Sequence, residues 1–144
     1  MRPDAELLEH LLQSFFDSFD DHDWQAMRSM LADQLMIDYS TLRGGEPGLS
    51  PITADEYVAQ REQSLAKLMT THEFSALEGQ VDGATATATC NFDIRRYSAD
   101  GLRHFHTKGD YLFGFVREDE HWLIVEITQN TVERDGDPDL HSPS

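Results

Sequence analysis

Apolar residues recur at helical spacing near the start of the chain, where Leu7, Leu8, Leu11, Leu12, Phe15, Phe16 and Phe19 fill one face. With Asp4 as a cap, the pattern predicts an amphipathic first helix. The polar knot Asp20-Asp21-His22-Asp23 interrupts it, and Asp23 can cap a short second helix that turns Trp24, Met27, Met30 and Leu31 inward. Leu35, Ile37 and Tyr39 then alternate with Met36, Asp38 and Ser40, the mark of a strand with one buried face. Residues 43 to 51 are dense in Gly and Pro and predict a loop. Thr53 and Glu56 make a capping box, with Ile52 placed to pack on Tyr57, so a third helix starts there and runs to about Met69.

From His72 onward the pattern changes period. Strands are predicted over 72–81, 84–97, 102–117 and 121–132, with Asp82-Gly83 and Ser98 to Gly101 as turns, giving an antiparallel meander. In the second of these strands Ala86, Ala88, Cys90, Phe92 and Ile94 share a face opposite Thr85, Thr87, Thr89, Asn91 and Asp93. In the third, Phe105, Tyr111, Phe113 and Phe115 oppose His104, His106, Lys108 and Asp110. Each strand thus offers one apolar side for the helices, and small alanines there leave room for a cavity. The reading is an α+β domain over residues 1–132, with a polar tail at 133–144 that is frayed or draped over a neighbour.

At 144 residues, the chain has room for one domain, which buries roughly 70% of its extended surface. Eleven Lys and Arg stand against 27 Asp and Glu, and the net charge of -16 argues against nucleic acid and anionic membranes as partners. No window has the length of a membrane span and no leader-like pattern opens the chain, so a cytoplasmic protein is the expectation. Cys90, the only cysteine, sits among apolar and small residues and reads as a packed thiol.

Strand parity places His72 with Phe74 and Ala76 on one side. If that side faces the core, the imidazole needs a partner, and Asp20 at the end of the first helix can supply it, fixing the tautomer and stabilising the imidazolium. Otherwise His72 is a hydrogen-bonded strand histidine and Asp20 caps the second helix or meets solvent. Tyr39, on an apolar face, needs a polar partner for its hydroxyl and is placed to donate to a substrate carbonyl. Phe15, Phe16, Phe19, Phe113 and Phe115 can form an aromatic cavity wall or plain core. His104 and His106 point to one side of a strand, but no third ligand is evident and Lys108 repels a cation, so no metal is expected. Nucleotide, serine-nucleophile and paired-cysteine motifs are absent.

Asp17-Ser18-Phe19-Asp20 followed by Asp23-Trp24, then Ile37-Asp38-Tyr39, Thr71-His72, Lys108-Gly109 and Trp122 together give a chain that resembles the nuclear transport factor 2-like superfamily in its SnoaL-like branch. The pattern, over about residues 14 to 131, is most similar to that of the scytalone dehydratases, and the layout also resembles hexachlorocyclohexane dehydrochlorinase. The resemblance implies a curved mixed sheet wrapped around three N-terminal helices, an apolar pocket in the cone, and often a homodimer formed through the outer sheet face. It implies a catalytic set of Asp20, His72 and Tyr39, and a pocket lined by Phe16, Phe19, Trp24, Phe74, Phe92, Ile94, Phe113 and Phe115. The resemblance implies hydrogen-bonding groups of the dehydratase where Phe19 stands and near Ile94, Phe113 and Phe115, so scytalone itself would leave polar groups unpaired at about 1–3 kcal/mol each. The expected function is proton abstraction from a small, mostly apolar substrate, with elimination or isomerisation and no cofactor. The alternatives are a binding protein for an apolar ligand and an association module.

Overall fold

The computed structural model describes residues 4–43 and 46–141. Gly44 and Gly45 of the expected loop, and the last three residues of the expected tail, lie outside the described residues. Helix α1 spans Asp4–Asp20 and α2 Trp24–Ser29; β1 is Leu31–Asp38, α3 the single turn Ser40–Arg43, β2 Ser50–Thr53 and α4 Ala54–Leu65. Four long strands follow, β3 Leu68–Asp82, β4 Thr85–Ser98, β5 His104–Glu118 and β6 His121–Gly136, with a 3-10 turn at Pro138–His141.

The local signals act as their chemistry requires. The Asp23 carboxylate accepts from the Ala26 N–H at the start of α2, and the Thr53 hydroxyl accepts from the Glu56 N–H at the start of α4, each satisfying an amide that the helix leaves unbonded. Helix α4 ends at Leu65, four residues short of the expected Met69, because β3 already begins at Leu68. Asp82 pairs with Thr85, so the first hairpin turns on Gly83-Ala84, one residue beyond the expected Asp82-Gly83. Gly83 has a φ of +63° there, a conformation glycine adopts without a steric penalty.

The six strands form one mixed sheet in the order β2-β1-β6-β5-β4-β3. β3 through β6 make the expected antiparallel meander, while β1 joins β6 in parallel and β2 pairs antiparallel with β1. Register shifts at Ser75/Glu78, Lys108/Gly109 and Gly114/Phe115 bend the long strands, and such bulges curl the sheet around the helices. At Gly109 a Cβ would lie 1.9 Å from the Asn130 carbonyl oxygen, so this close approach admits only glycine.

Helices α1, α2 and α4 cover the concave face. Leu8, Leu12, Phe15, Phe16 and Phe19 of α1 meet Ala86, Ala88, Phe92, Ile94, Phe113 and Phe115 of the sheet in one buried core. β6 continues four residues beyond the expected end at 132, and Leu140 packs against Leu42 and Phe105 in a second small cluster. The segment to His141 is therefore docked against the domain, because Leu140 gives an otherwise polar stretch one apolar anchor. Among the described residues no helix is long and apolar enough to cross a membrane.

Candidate active site

Asp20 is the last residue of α1, and it faces the edge of the sheet. β3 has no strand on its outer side, so the backbone N–H of His72 points away from the ladder and needs an acceptor. The Asp20 carboxylate supplies one: Oδ2 accepts from that N–H at 2.8 Å, and Oδ1 accepts from the Thr70 hydroxyl at 2.9 Å. Oδ1 also lies 2.6 Å from His72 Nδ1. An acid held by three contacts to one strand fixes the ring, and a carboxylate at Nδ1 keeps the proton there. Nε2, to which no described residue hydrogen-bonds, is left as the basic nitrogen.

The His72 side chain is 4% exposed. Phe19 stacks on it at 4.6 Å between centroids, and Phe16 lies parallel at 6.1 Å. Burial pushes the His72 pKa down, with Arg96 adding to the effect, and this outweighs the upward pull of Asp20. The imidazole is therefore neutral near pH 7 and able to accept a proton.

His72 opens onto a cavity of about 30 Å³ that draws side chains from α1, α4 and all four long strands. Tyr39, in the step between β1 and α3, lines it and exchanges a 2.7 Å hydroxyl hydrogen bond with Tyr57 of α4, which is completely buried. Tyr111 lines it from β5 and accepts from Gln129 Nε2 at 2.7 Å. Burial raises both the Tyr57 and Tyr111 pKa values well above the ordinary tyrosine range, so each hydroxyl keeps its proton at neutral pH. Arg61 of α4 and Arg96 of β4, 3% and 6% exposed, complete the wall.

The wall is thus more polar than the sequence pattern predicts. Phe19 lines the cavity, but Phe16, Ile94, Phe113 and Phe115 pack within the core, where Phe16 and Phe113 each sit 6.0 Å or less from a neighbouring aromatic ring. Phe74 and Phe92 line a separate hollow of about 500 Å³ beside Glu73, Lys108 and Gly109. Trp24 is half-buried and stacks on His22 at 5.5 Å. The reason is that a parity argument finds inward-facing residues without telling a packed one from one beside a void.

The polar members that the sequence reading passed over follow the same periodicities. Arg61 occupies the inward stripe Ala54, Tyr57, Val58, Arg61, Leu65, and Arg96 extends the face of Ala86 to Ile94 by one more inward position. A charged residue at an inward position was the available signal.

Other candidates are spent elsewhere. His106 pairs with Asp93 at 2.7 Å and His104 with Asp135 at 3.5 Å, and among the described residues no three His, Cys, Asp or Glu side chains are grouped to hold a metal ion. Burial pushes the Cys90 thiol up to about 12, away from nucleophile chemistry.

A curved sheet closed by three helices, with a carboxylate and imidazole meeting at its open edge, is the nuclear transport factor 2-like cone. The SnoaL-like domain matches residues 3–128, and the chain belongs to that family. No curated protein matches the sequence. A solved structure from Novosphingobium aromaticivorans, provisionally named an aromatic ring hydroxylase, is 18% identical, covers 99% of this chain and 100% of its own, and has a TM-score of 0.83. A second protein from that organism, provisionally named a scytalone dehydratase, is 12% identical over 92% of this chain and 86% of its own, at a TM-score of 0.79. A type 2 hexachlorocyclohexane dehydrochlorinase is 12% identical over 91% and 86%, at 0.75.

Proposed function

We propose that this protein is a small-molecule lyase or isomerase in which His72, oriented by Asp20, removes a carbon-bound proton. The 2.6 Å contact between Asp20 Oδ1 and His72 Nδ1 carries the reading. It leaves a neutral, buried Nε2 on a cavity, and a base so placed contributes about 10² to 10⁴ in rate. Tyr39, backed by the Tyr57 hydroxyl, serves as the donor to the oxyanion that forms as the proton leaves, worth about another 10². Two neighbours of the same fold carry the names of eliminating enzymes, a dehydratase and a dehydrochlorinase. The third is named for a hydroxylation; the fold does not separate these names, and the dyad favours proton abstraction.

The test is solvent exchange. Small carbonyl compounds with an acidic α-proton and a β-hydroxyl or β-halide are incubated with the protein in D₂O, and deuterium uptake and conjugated product are followed by mass spectrometry and absorbance. His72→Gln and Asp20→Asn should each cut the rate by at least about 10² with an unchanged circular dichroism spectrum. Full activity in either variant, or compounds that bind and are recovered without deuterium, would overturn the proposal, the second result pointing to a binding protein.

A further inference from the structure

We infer that the cavity recognises a carboxylate, so that the ligand is a small organic acid held through Arg61, with Arg96 on the same cavity wall. The observation behind this is an unsatisfied donor. Arg61 is 3% exposed; its Nη1 reaches the Gln60 side-chain oxygen at 3.2 Å and the Tyr57 carbonyl at 3.5 Å, but its buried Nη2 has no hydrogen-bond partner among the described residues. A buried guanidinium donor without an acceptor is costly and rare in folded proteins, and a ligand that fills the gap is the ordinary reason such a group persists.

The setting sharpens the point. The guanidinium carbon lies 3.8 Å from the Tyr57 ring centre and 4.8 Å from that of Tyr39, so the two rings hold the planar group in place without neutralising it. Arg28, Arg103 and Arg117 find carboxylates, Arg28 bonding Asp33 and Asp55, Arg103 bonding Asp137 and Arg117 bonding Asp4, while Arg134 donates to the Thr41 carbonyl and Arg96 donates to the Thr107 hydroxyl at 3.5 Å. The chain has 27 acidic residues, yet among the described residues that line this cavity are Arg61 and Arg96 and no carboxylate. Asp20, the acid behind His72, is already bonded to Thr70 and His72. A cavity of about 30 Å³ holds about two waters, which is close to the size of a carboxylate group. A guanidinium suits that planar, two-oxygen shape.

This deepens the proposed function and rests on it for the chemistry alone. With the carboxylate on the arginines, the proton on the adjacent carbon passes to His72 Nε2 and the electron pair it leaves moves onto the carboxylate oxygens. Positive charge beside those oxygens is what the resulting dianion needs. Either the proton returns, to the other face of that carbon or, in an unsaturated acid, to a conjugated carbon with a shift of the double bond, or the pair forms a C=C bond as the bond to a β-leaving group breaks.

Binding is read with named probes, formate and acetate against their neutral isosteres formamide and acetamide, by calorimetry and by NMR of the Arg61 Nε–H signal. The acids should bind and shift that signal, while the amides bind at least about tenfold more weakly. Arg61→Met should reduce acid binding at least tenfold, with Arg61→Gln as a second variant should the first fold poorly, and His72→Gln should retain it. Amides binding as well as the acids, or acid binding unchanged in a folded Arg61 variant, would overturn the inference. Because His72→Gln keeps the anion site and loses proton exchange, failure of the base and failure of the anion site give different results.

Discussion

Phe16 and Asp20 lie one helical turn apart on α1, yet the ends of the interior they serve are built differently. Around Phe16 the core is dry and aromatic: Phe15, Phe16, Tyr111 and Phe113 meet edge to face, tilted or stacked at 5.0 to 6.0 Å, geometries that add to the burial of large rings. Around Asp20 the interior is polar, with His72, Arg61, Arg96, Tyr57 and Gln129 all buried. One end is occupied by its own side chains. The other keeps a void, a bare imidazole nitrogen and an unsatisfied guanidinium donor. The first is arranged for stability and the second at its expense, which is the division expected where a fold carries a site.

Substitutions at the two ends should therefore move stability in opposite directions. Phe113 is completely buried and packs against four other rings, Phe15, Phe16, Tyr111 and Phe115. Phe113→Ala should lower the unfolding free energy by about 3–5 kcal/mol, since it removes transfer energy and leaves a hole. Arg61→Met keeps an unbranched chain lying on the Tyr57 ring and removes an incompletely satisfied buried charge. The loss of the cation–π contact offsets part of the gain, and the net effect should be a rise of about 1 kcal/mol in denaturant unfolding. A large loss of stability in Arg61→Met, comparable to that of Phe113→Ala, would mean the guanidinium is a structural member and the contrast between the two ends is false.

The same contrast decides what could be read from sequence. The core end was legible because its physics is binary: the α1 stripe from Leu7 to Phe19 and the β4 face from Ala86 to Ile94 are apolar at the right period, and caps at Asp23 and Thr53 mark where helices begin. The Asp20–His72 contact was legible only as one of two options, since a residue ending a helix and one early in a strand meet only if the topology brings them to the same sheet edge. The family resemblance favoured the pairing that the coordinates display.

Arg61, Arg96 and Gln129 escaped because charged and amide residues on an element are read by default as its solvent face, although all three hold inward positions. The short α3 and β2 escaped because four-residue elements carry too few periods to register, and β2 lies in the stretch that Gly and Pro mark as loop. Cavity lining escaped for a different reason. Inwardness follows from periodicity, whereas a void depends on the summed volumes of residues from seven elements, α1, α3, α4 and β3 to β6.

The smallest expected effect is a slope of stability with pH. In the unfolded chain the His72 imidazole titrates near 6.5; in the folded protein its burial between Phe16 and Phe19, with Arg96 nearby on β4, holds its pKa lower, against the opposing pull of Asp20 on α1. Below about pH 6.5 the unfolded state therefore binds the extra proton first. Stability conferred by keeping the ring neutral is fully present above that pH and is lost as the pH falls through the folded value, by at most about 1.4 kcal/mol per unit for one proton. His72→Gln, which cannot titrate, should flatten the part of the wild-type slope between neutrality and the carboxylate range, as measured by urea unfolding at a series of pH values. The core end supplies the control: Phe113→Ala should lower the whole curve without changing its shape there. A His72→Gln curve parallel to the wild type would show that the imidazole is not held neutral by burial, and the low-pKa base on which the dyad depends would be lost with it.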